Sequence, residues 1–376
     1  MDIIKFSKSE LSIALQPILS VVERRNALPI LLNVLITFRK NIVSFTTSDI
    51  EVQITSTLIK DNLELEDLEL TVSARKLFEI SKSLSDHKTI VLSLIKDKLV
   101  IQQEQSKFSL QTLPAKDFPL LDIGNKTNLS FSLQSDEMKT LLDSVSFSMA
   151  IQDVRYYLNG LFLQVNGKEL IAVTTDGHRL CFNKITIPSL DNSTESMSCI
   201  VPRKAVIELQ KVLSTTKDIK DKNVEISIHS NYIQLCLPGK RLISKLIEGN
   251  YPDYQKVIPN DSKYKVMFNK KDFLEKLTRV SILTSDKYRG IRITLDGETA
   301  VLQSTNSDQE EAIEKIITEE GSGELDIGFN VTYLVEVLNN INADKVGFSF
   351  NDSQSSAVIT NLEDKEFKYI VMPMRL

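Results

Sequence analysis

The chain has 376 residues, 42% of them hydrophobic and 25% charged, with a formal net charge of −5. That length is too great for one hydrophobic core and calls for two or three domains, while the net charge excludes a uniformly basic surface. Three widely spaced cysteines (Cys181, Cys199, Cys236) argue against a disulfide framework or a metal site and point to reduced thiols in the cytoplasm. No run is long enough to span a bilayer, and Met1-Asp2-Ile3-Ile4-Lys5-Phe6 lacks the regions of a secretion leader.

Phe6-Ser7-Lys8-Ser9-Glu10-Leu11 opens a helical pattern that runs to about Val22, with Pro17 placed to kink or shorten it. Phe45-Thr46-Thr47-Ser48-Asp49 reads as a strand end. Val72 to Ile80 reads as a strand entering a helix at Ser73, with Leu77, Phe78 and Leu84 on its apolar face. Phe131 to Asp136 opens a helix through Met138, Leu141, Leu142 and Val145. Leu161 to Val165 and Val173 to Asp176 read as strands, with Asn166-Gly167 as a hairpin turn. Val201 to Leu209 repeats the strand-to-helix step, with Pro202 in the first turn and Val206, Leu209, Val212 and Leu213 facing inward. Val224 to Ile228 is a further strand. Phe268 to Phe273 opens a helix through Leu277 and Val280, where Asn269 and Asp272 have capping-box spacing. Ile291 to Leu295, the Asp296-Gly297 turn and Leu302 to Asn306 follow. Phe329 to Val337 enters the last helix at Asn330, and Val346 to Phe350 is a strand. The final Val371-Met372-Pro373-Met374-Arg375-Leu376 should leave its strand at Pro373 and expose two Met and a Leu, unless it is an ordinary terminal edge strand.

The same three elements recur in the same order at intervals of roughly 125 to 137 residues, the mark of an internal threefold repeat. Each unit reads as two helices and about eight strands in antiparallel sheets, an α+β domain. The polar runs near residues 126 and 263 divide the chain into 1–126, 127–263 and 264–376.

The acidic total conceals segregation. Predicted helix starts and adjoining turns carry Lys8, Arg24, Arg25, Arg75, Lys76, Lys82, Lys139, Arg155, Arg203, Lys204, Lys211, Lys270, Lys271, Lys276 and Arg279. Asp61 to Glu69 holds five carboxylates and Asp308 to Glu320 holds six. Any one such helix reads as a solvated face. Taken together, five of six would share a basic surface able to hold a polyanion through phosphate contacts. The helix from Val331 to Ile341 has no Lys or Arg and departs from that pattern. No phosphate loop, zinc-protease or hydrolase-elbow motif is present, and His87, His178 and His229 are isolated. Asp176-Gly177-His178 could form part of a hydrolytic or metal site, but a turn after a strand is the better reading. A peptide-binding scaffold without DNA is the other alternative. No cofactor is called for.

Several words of the sequence resemble the bacterial DNA polymerase III beta subunit, the replicative sliding clamp. They are Leu28-Pro29-Ile30-Leu31, Phe108-Ser109-Leu110, Leu113-Pro114-Ala115 with Asp117-Phe118-Pro119, and Gln152-Asp153-Val154-Arg155-Tyr156-Tyr157-Leu158-Asn159-Gly160. They continue with Thr175 to Leu180, Val201 to Lys204, Tyr251 to Tyr254, Tyr288-Arg289-Gly290, Gly328 to Val331 and Met372 to Leu376.

The resemblance implies a non-catalytic, cytoplasmic processivity factor, a head-to-tail homodimer closed into a ring of six similar domains. Sheets lie outside, and helices line a hole around duplex DNA held without regard to sequence. Twelve helices of ~10 Å diameter would give a circle ~38 Å across at the helix centres. It implies DNA contacts at Arg25, Gln152, Tyr156 and Tyr157 and at Arg75, Lys76, Arg203 and Lys204. Core packing competes for the tyrosine pair, and one of the two is expected inside. A peptide groove is implied at Thr175, Gly177, His178, Arg179, Leu180, Pro252, Val257, Asn330, Tyr333, Ser356, Val371, Met372, Pro373, Met374, Arg375 and Leu376. It would receive short Gln- and Leu/Phe-containing peptides of the replicative polymerase, clamp loader and repair proteins. Gln354 and Lys256 depart from the family's usual residues there. The dimer seam would set Lys76, Lys107, Phe108 and Leu110 against Ile282, Leu283, Glu310, Glu311 and Glu314.

Overall fold

Hairpins and meanders account for most of the chain, as the alternating runs require. The computed structural model describes residues 2–23, 28–60, 65–124, 126–215, 222–259, 262–285, 288–321 and 323–375. Among these residues are twenty-four strands and six α-helices, eight strands and two helices to each repeat. No helix among them is long and apolar enough to cross a membrane. The fold divides into two compact units, Met1–Met138 with Lys204–Leu246, and Lys139–Arg203 with Ile247–Leu376.

The first unit holds β1 (Asp2–Phe6), β2 (Asn33–Lys40), β3 (Ile42–Ser48), β4 (Val52–Ile59) and β5 (Leu65–Ser73). It also holds β6 (Ile90–Ile95), β7 (Lys98–Gln103), β8 (Ser106–Gln111) and β9 (Leu129–Gln134). After the strands β10 (Gly160–Asn166), β11 (Glu169–Thr175), β12 (Arg179–Thr186) and β13 (Met197–Pro202) of the second unit, the chain returns to it. It then adds β14 (Asn223–Ile228), β15 (Tyr232–Leu237) and β16 (Lys240–Lys245). One antiparallel sheet runs β5-β2-β3-β4-β16-β15-β14-β9, and a four-stranded sheet runs β1-β6-β7-β8. The helix α1 (Lys8–Leu15) starts on a complete capping box. Ser7 N–H donates to Glu10 Oε2 at 2.7 Å, and Glu10 N–H donates to Ser7 Oγ at 3.2 Å. Pro17 shortens the helical run to a 3-10 turn at Gln16–Ile18, so α1 stops well before Val22. The helix α2 (Ala74–Ser83) buries Leu77, with Leu84 buried just after it as the spacing predicts, whereas Phe78 is only half-buried and Ala74 joins the inner face.

The second unit completes its sheets with β17 (Tyr264–Asn269), β18 (Gly290–Gly297), β19 (Thr299–Thr305), β20 (Glu311–Ile317) and β21 (Gly323–Asn330). The last strands are β22 (Lys345–Phe350), β23 (Ala357–Asn361) and β24 (Lys368–Val371). The orders are β13-β10-β11-β12-β24-β23-β22-β17 and β20-β19-β18-β21. Gly167 and Gly297 adopt φ of +58° and +61° at the two expected hairpins. The helices α3 (Ser135–Val145) and α4 (Arg203–Thr215) begin close to the boundaries between the units, while α5 (Lys270–Val280) and α6 (Val331–Asn340) lie within the second. Pro202 closes β13 and does not enter the first turn of α4. At α5 only half of the expected capping box forms, with Asp272 N–H donating to Asn269 Oδ1 at 3.1 Å.

Compactness and sequence repetition therefore divide the chain differently. The second repeat is split: β10–β13 share a sheet with third-repeat strands, and β14–β16 share one with first-repeat strands. The cause is the open edge of a four-stranded sheet, whose unpaired backbone groups are satisfied by the next repeat. Thus β4 pairs with β16 (Gln53 opposite Ile243) and β12 pairs with β24 (Leu180 opposite Ile370). The final strand is an inner strand, held by β12 and β23, and not the terminal edge strand that was one reading of the tail.

Candidate functional site

The tail leaves β24 where Pro373 predicts. Met372 N–H donates to His178 O at 2.9 Å, and Met374 N–H donates to Gly328 O at 2.8 Å, so the chain steps from one sheet of the second unit to the other. Met372 is 42% exposed, whereas Met374 is half-buried, so only one methionine is freely presented. Leu376 lies outside the described residues.

Beside the tail is an apolar cavity of about 190 Å³. Thr175, Gly177, Arg179, Leu180, Pro252, Val257 and Met372 line it, as the resemblance implies. Arg155, Tyr157, Leu158, Tyr251, Tyr254 and Ile370 complete the wall. Tyr251 stacks on Phe162 at 4.9 Å between ring centroids, and Tyr254 packs against Phe182 at 5.8 Å. Hydroxyls tether the two rings: Tyr254 donates to Gln164 Oε1 at 3.1 Å and Tyr251 to Val173 O at 3.4 Å. Burial pushes the Tyr251 phenol well above its ordinary value, so the wall stays neutral.

The other expected groove residues lie elsewhere. Val371 is fully buried in its sheet, and Asn330 caps α6 by accepting from Thr332 N–H at 2.9 Å. Ser356 is half-buried before β23, and Pro373 is half-buried between the two tail contacts. Met374 and Arg375 line a second cavity, about 560 Å³, with Ser285, Tyr288 and Arg292. His178 and Tyr333 face a polar cleft of about 590 Å³ that also contains Asp176, Arg203 and Glu336. Lys256 is turned to Asp253 at 2.8 Å, and Gln354 is exposed.

Arg179 is only 8% exposed and separates the apolar cavity from the polar cleft. Its Nε donates to Asp176 Oδ2 at 3.0 Å, one terminal nitrogen donates to Glu336, and the other donates to Phe147 O at 3.1 Å. The Tyr333 ring lies 4.4 Å away. Burial alone would lower the pKa of the guanidinium, yet the Tyr369 and Glu336 groups raise it above the usual arginine value. Asp176 also accepts from His178 N–H at 2.9 Å and Arg179 N–H at 3.1 Å. Asp176-Gly177-His178 is therefore a hydrogen-bonded turn whose carboxylate is saturated. Among the described residues no group of three His, Cys, Asp or Glu is placed to hold a metal ion.

The loop before β10 is rigidly tied. Asp153 accepts from Arg155 N–H (2.8 Å), Nε (3.0 Å) and Nη2 (2.9 Å). Asn159 accepts from Asp153 N–H at 2.9 Å and donates to Asp153 O at 2.8 Å. Hydrogen bonds from Arg155 draw the Asp153 pKa down to about 2. Gln152 sits at φ +55°, and Val154 is 95% exposed. Tyr156 is exposed and Tyr157 is half-buried against the groove, so neither joins the core as the packing expectation required. Arg25 falls outside the described residues.

The cations expected to form a basic face are mostly committed. Arg75 donates to Val22 O at 2.5 Å and Arg203 to Met149 O at 3.2 Å. Lys204 meets Asp49 and, at 3.3 Å, Glu23. Lys139 pairs with Asp143, Lys276 with Asp272 at 2.8 Å, and Lys211 with Glu208 at 2.8 Å. Acids three or four residues away on the same helix face attenuate the charge. Lys76, Lys82 and Lys271 are exposed with no partner among the described residues.

Two of the sheet edges carry the residues expected at the dimer seam. In the first unit β8 is an edge, with Lys107 exposed, Phe108 half-buried and Leu110 buried beneath the sheet. In the second unit β20 is an edge, with Ile313 and Ile317 exposed, and Ile282 is exposed while Leu283 is half-buried. Glu310 accepts from Asn306 at 2.6 Å, Glu311 from Gln303, and Glu314 pairs with Arg279 at 2.6 Å.

Sequence models of one family match the chain in three parts. The N-terminal domain of the DNA polymerase III beta subunit matches residues 3–122, its central domain 132–253 and its C-terminal domain 255–375. A beta sliding clamp of Pseudomonas aeruginosa is 40% identical over 364 residues, with 96% of each chain covered. That of Vibrio cholerae is 35% identical over 370 residues, with 98% of each covered. The crystal structure of the DNA polymerase III subunit beta from Pseudomonas aeruginosa superposes with a TM-score of 0.94 at 38% identity, covering 99% of each chain. A clamp of Bartonella birtlesii solved bound to griselimycin gives 0.92 at 34%, again over 99% of each.

Proposed function

The chain belongs to the DNA polymerase III beta subunit family, and from that premise we propose how its residues divide the work of a sliding clamp. It is a non-catalytic processivity subunit, a ring homodimer around duplex DNA that tethers the replicative polymerase and other partners. We assign it to the cytoplasm, where bacterial DNA is replicated, and set its three domains at 1–126, 127–263 and 264–376.

One observation supports the ring above all. One four-stranded sheet of the first repeat (β5-β2-β3-β4) and one of the second (β13-β10-β11-β12) continue into the following repeat, and the two remaining four-stranded sheets have edges at β20 and β8. They are the two halves of a third eight-stranded sheet, which a second copy would complete head to tail. Gln53–Ile243 and Leu180–Ile370 occupy equivalent places in β4·β16 and β12·β24. Carrying that register onward sets Glu311 opposite Ser109 of a second copy, Ala312 opposite Phe108, and Ile313 opposite Lys107. Lys76, Ile282, Leu283, Glu310 and Glu314 flank this seam. Leu110 supports it from beneath.

The apolar cavity and the tail form the peptide groove, from Thr175, Gly177, Leu180, Pro252, Val257 and Met372, with Tyr251 and Tyr254 added. We assign His178, Asn330, Tyr333, Ser356 and Pro373 to Arg375 to its outer approaches; Leu376, implied with them, lies outside the described residues. Burying one Leu side chain there is worth about 2 kcal/mol, so a Leu→Ala peptide should bind roughly thirtyfold more weakly. Griselimycin, bound by the Bartonella birtlesii clamp, is a second ligand with which to test this surface. DNA is met by Arg25, Gln152, Tyr156 and Tyr157 at the loops, and by Arg75, Lys76, Arg203 and Lys204 at the helices. Three of these helix cations already have partners within the chain, which weakens their hold on phosphate and favours sliding.

The test is a paired-cysteine variant, Ser109→Cys with Glu311→Cys. Mild oxidation should give a covalently closed dimer that stays on circular duplex DNA in high salt and leaves when the DNA is linearised. Monomeric product, or equal cross-linking by Phe108→Cys with Glu311→Cys, whose side chains fall on opposite faces, would refute the register.

A further inference from the structure

Beyond the walls of the groove, we infer that Glu336 on α6 is a positioning residue for peptide binding, acting through Arg179. This rests on the groove assignment above and identifies what holds that groove in shape.

Arg179 is the first residue of β12, and the next residue, Leu180, lines the cavity. The carbonyl of Arg179 accepts from Thr175 Oγ1 at 2.5 Å, and the same Thr175 hydroxyl accepts from Gly177 N–H at 3.0 Å. The backbone of Arg179 therefore fixes two other wall residues. Its side chain is committed within the chain, because the guanidinium is buried and each of its three nitrogens already donates, to Asp176, Glu336 and Phe147 O. Asp176 belongs to the same turn and moves with it, so it cannot anchor the turn to anything else. Glu336 can, because it stands on α6, a helix that carries no Lys or Arg and has Glu336 as its only acid. Tyr333, one turn earlier, stacks on the guanidinium and accepts from the Tyr369 hydroxyl at 3.0 Å, which joins α6 to the strand preceding the tail. Helix, turn and tail strand thus meet at one cation. Removing Glu336 leaves that cation short of a partner on its cleft side, and the turn is then free to shift relative to α6. The cation-free character of α6, which does not fit a basic face, fits this task.

The experiment uses the full-length dimer and a fluorescein-labelled pentapeptide with Gln first and Leu-Phe last. Glu336→Ala should weaken binding by roughly three- to thirtyfold, while Glu336→Gln, which can still accept from Arg179, should stay within about twofold. Met372→Glu, on the groove wall itself, tests the groove separately. Methyl NMR of methionine gives the second readout. In Glu336→Ala the Met372 signal should move while Met138, in the other unit, stays in place. Wild-type binding by Glu336→Ala alongside weakened binding by Met372→Glu would overturn the inference and leave the groove standing. Wild-type binding by both would remove the groove assignment as well. Equal loss in the Ala and Gln variants, with both methyl signals displaced, would mark Glu336 as a general stability residue and overturn the positioning role.

Discussion

Lys204→Ala should loosen the first unit before it affects DNA. The Asp49 side chain is 5% exposed; Oδ1 accepts from Glu51 N–H at 2.9 Å and Val52 N–H at 2.6 Å, while Oδ2 faces Lys204. Taking one partner from a fully buried ion pair costs about 3–5 kcal/mol. Lys204 is 34% exposed and Asp49 keeps its two backbone donors, so water screening reduces the expected cost to about 1–2 kcal/mol. Lys204→Glu sets a third carboxylate beside Asp49 and Glu23 and should cost more. Native-state hydrogen exchange at the Glu51 and Val52 amides reads this locally, and a loss of 1–2 kcal/mol corresponds to roughly 5- to 30-fold faster exchange. Lys271→Glu, an exposed change with no described partner, should leave both amides within ~0.5 kcal/mol of wild type. Unchanged exchange in Lys204→Ala would show that the Asp49 contact carries no stability. Shorter residence of Lys204→Glu on DNA can be credited to phosphate contact only if Lys204→Gln, which keeps a donor, shares it.

Gly177→Ala should destabilise the groove turn by about 1–3 kcal/mol, because Gly177 has φ +90° and an added Cβ would lie 2.8 Å from the Arg155 guanidinium nitrogens; wild-type peptide affinity and melting temperature would contradict this. Asp153 has its pKa lowered from 3.8 to about 2, so its tie to Arg155 is complete above 3.8 and is lost as pH falls through about 2. Its carboxyl carbon shift should titrate with a midpoint near 2, and a midpoint of 3.8 would mean that the loop is not pinned in solution. Tyr254→Phe removes the hydroxyl that donates to Gln164 but keeps the ring against Phe182, so peptide affinity should fall by less than about tenfold, whereas Tyr254→Ala should abolish binding.

Local chemistry was legible in the chain. The strand-to-helix steps at Ser73, Pro202 and Asn330, the glycine hairpins and the shortening at Pro17 all depend on neighbours a few residues apart. The Ser7–Glu10 box could have been read by the same spacing rule that was applied to Asn269. Sheet continuity across repeats could not, because β4 and β16 meet through backbone groups common to every residue. The committed state of the cations was partly visible in the Lys139–Asp143 and Asp272–Lys276 spacings, but Lys204 finds Asp49 only through tertiary structure. Family resemblance located the tail and the Thr175–Leu180 turn. It did not reveal that the Arg179 guanidinium is buried and bonded within the chain, since burial is a property of the packed fold.

The inner placement of β24 has a consequence for synthesis on the ribosome. Until residues 368–371 emerge, β12 and β23 lack the strand that joins them, and each offers bare backbone to passing chains. A product stopped before residue 368 lacks Met372 and the strand that seats it. The Met372 side of the cavity is thereby formed only after β24 has taken its place between β12 and β23.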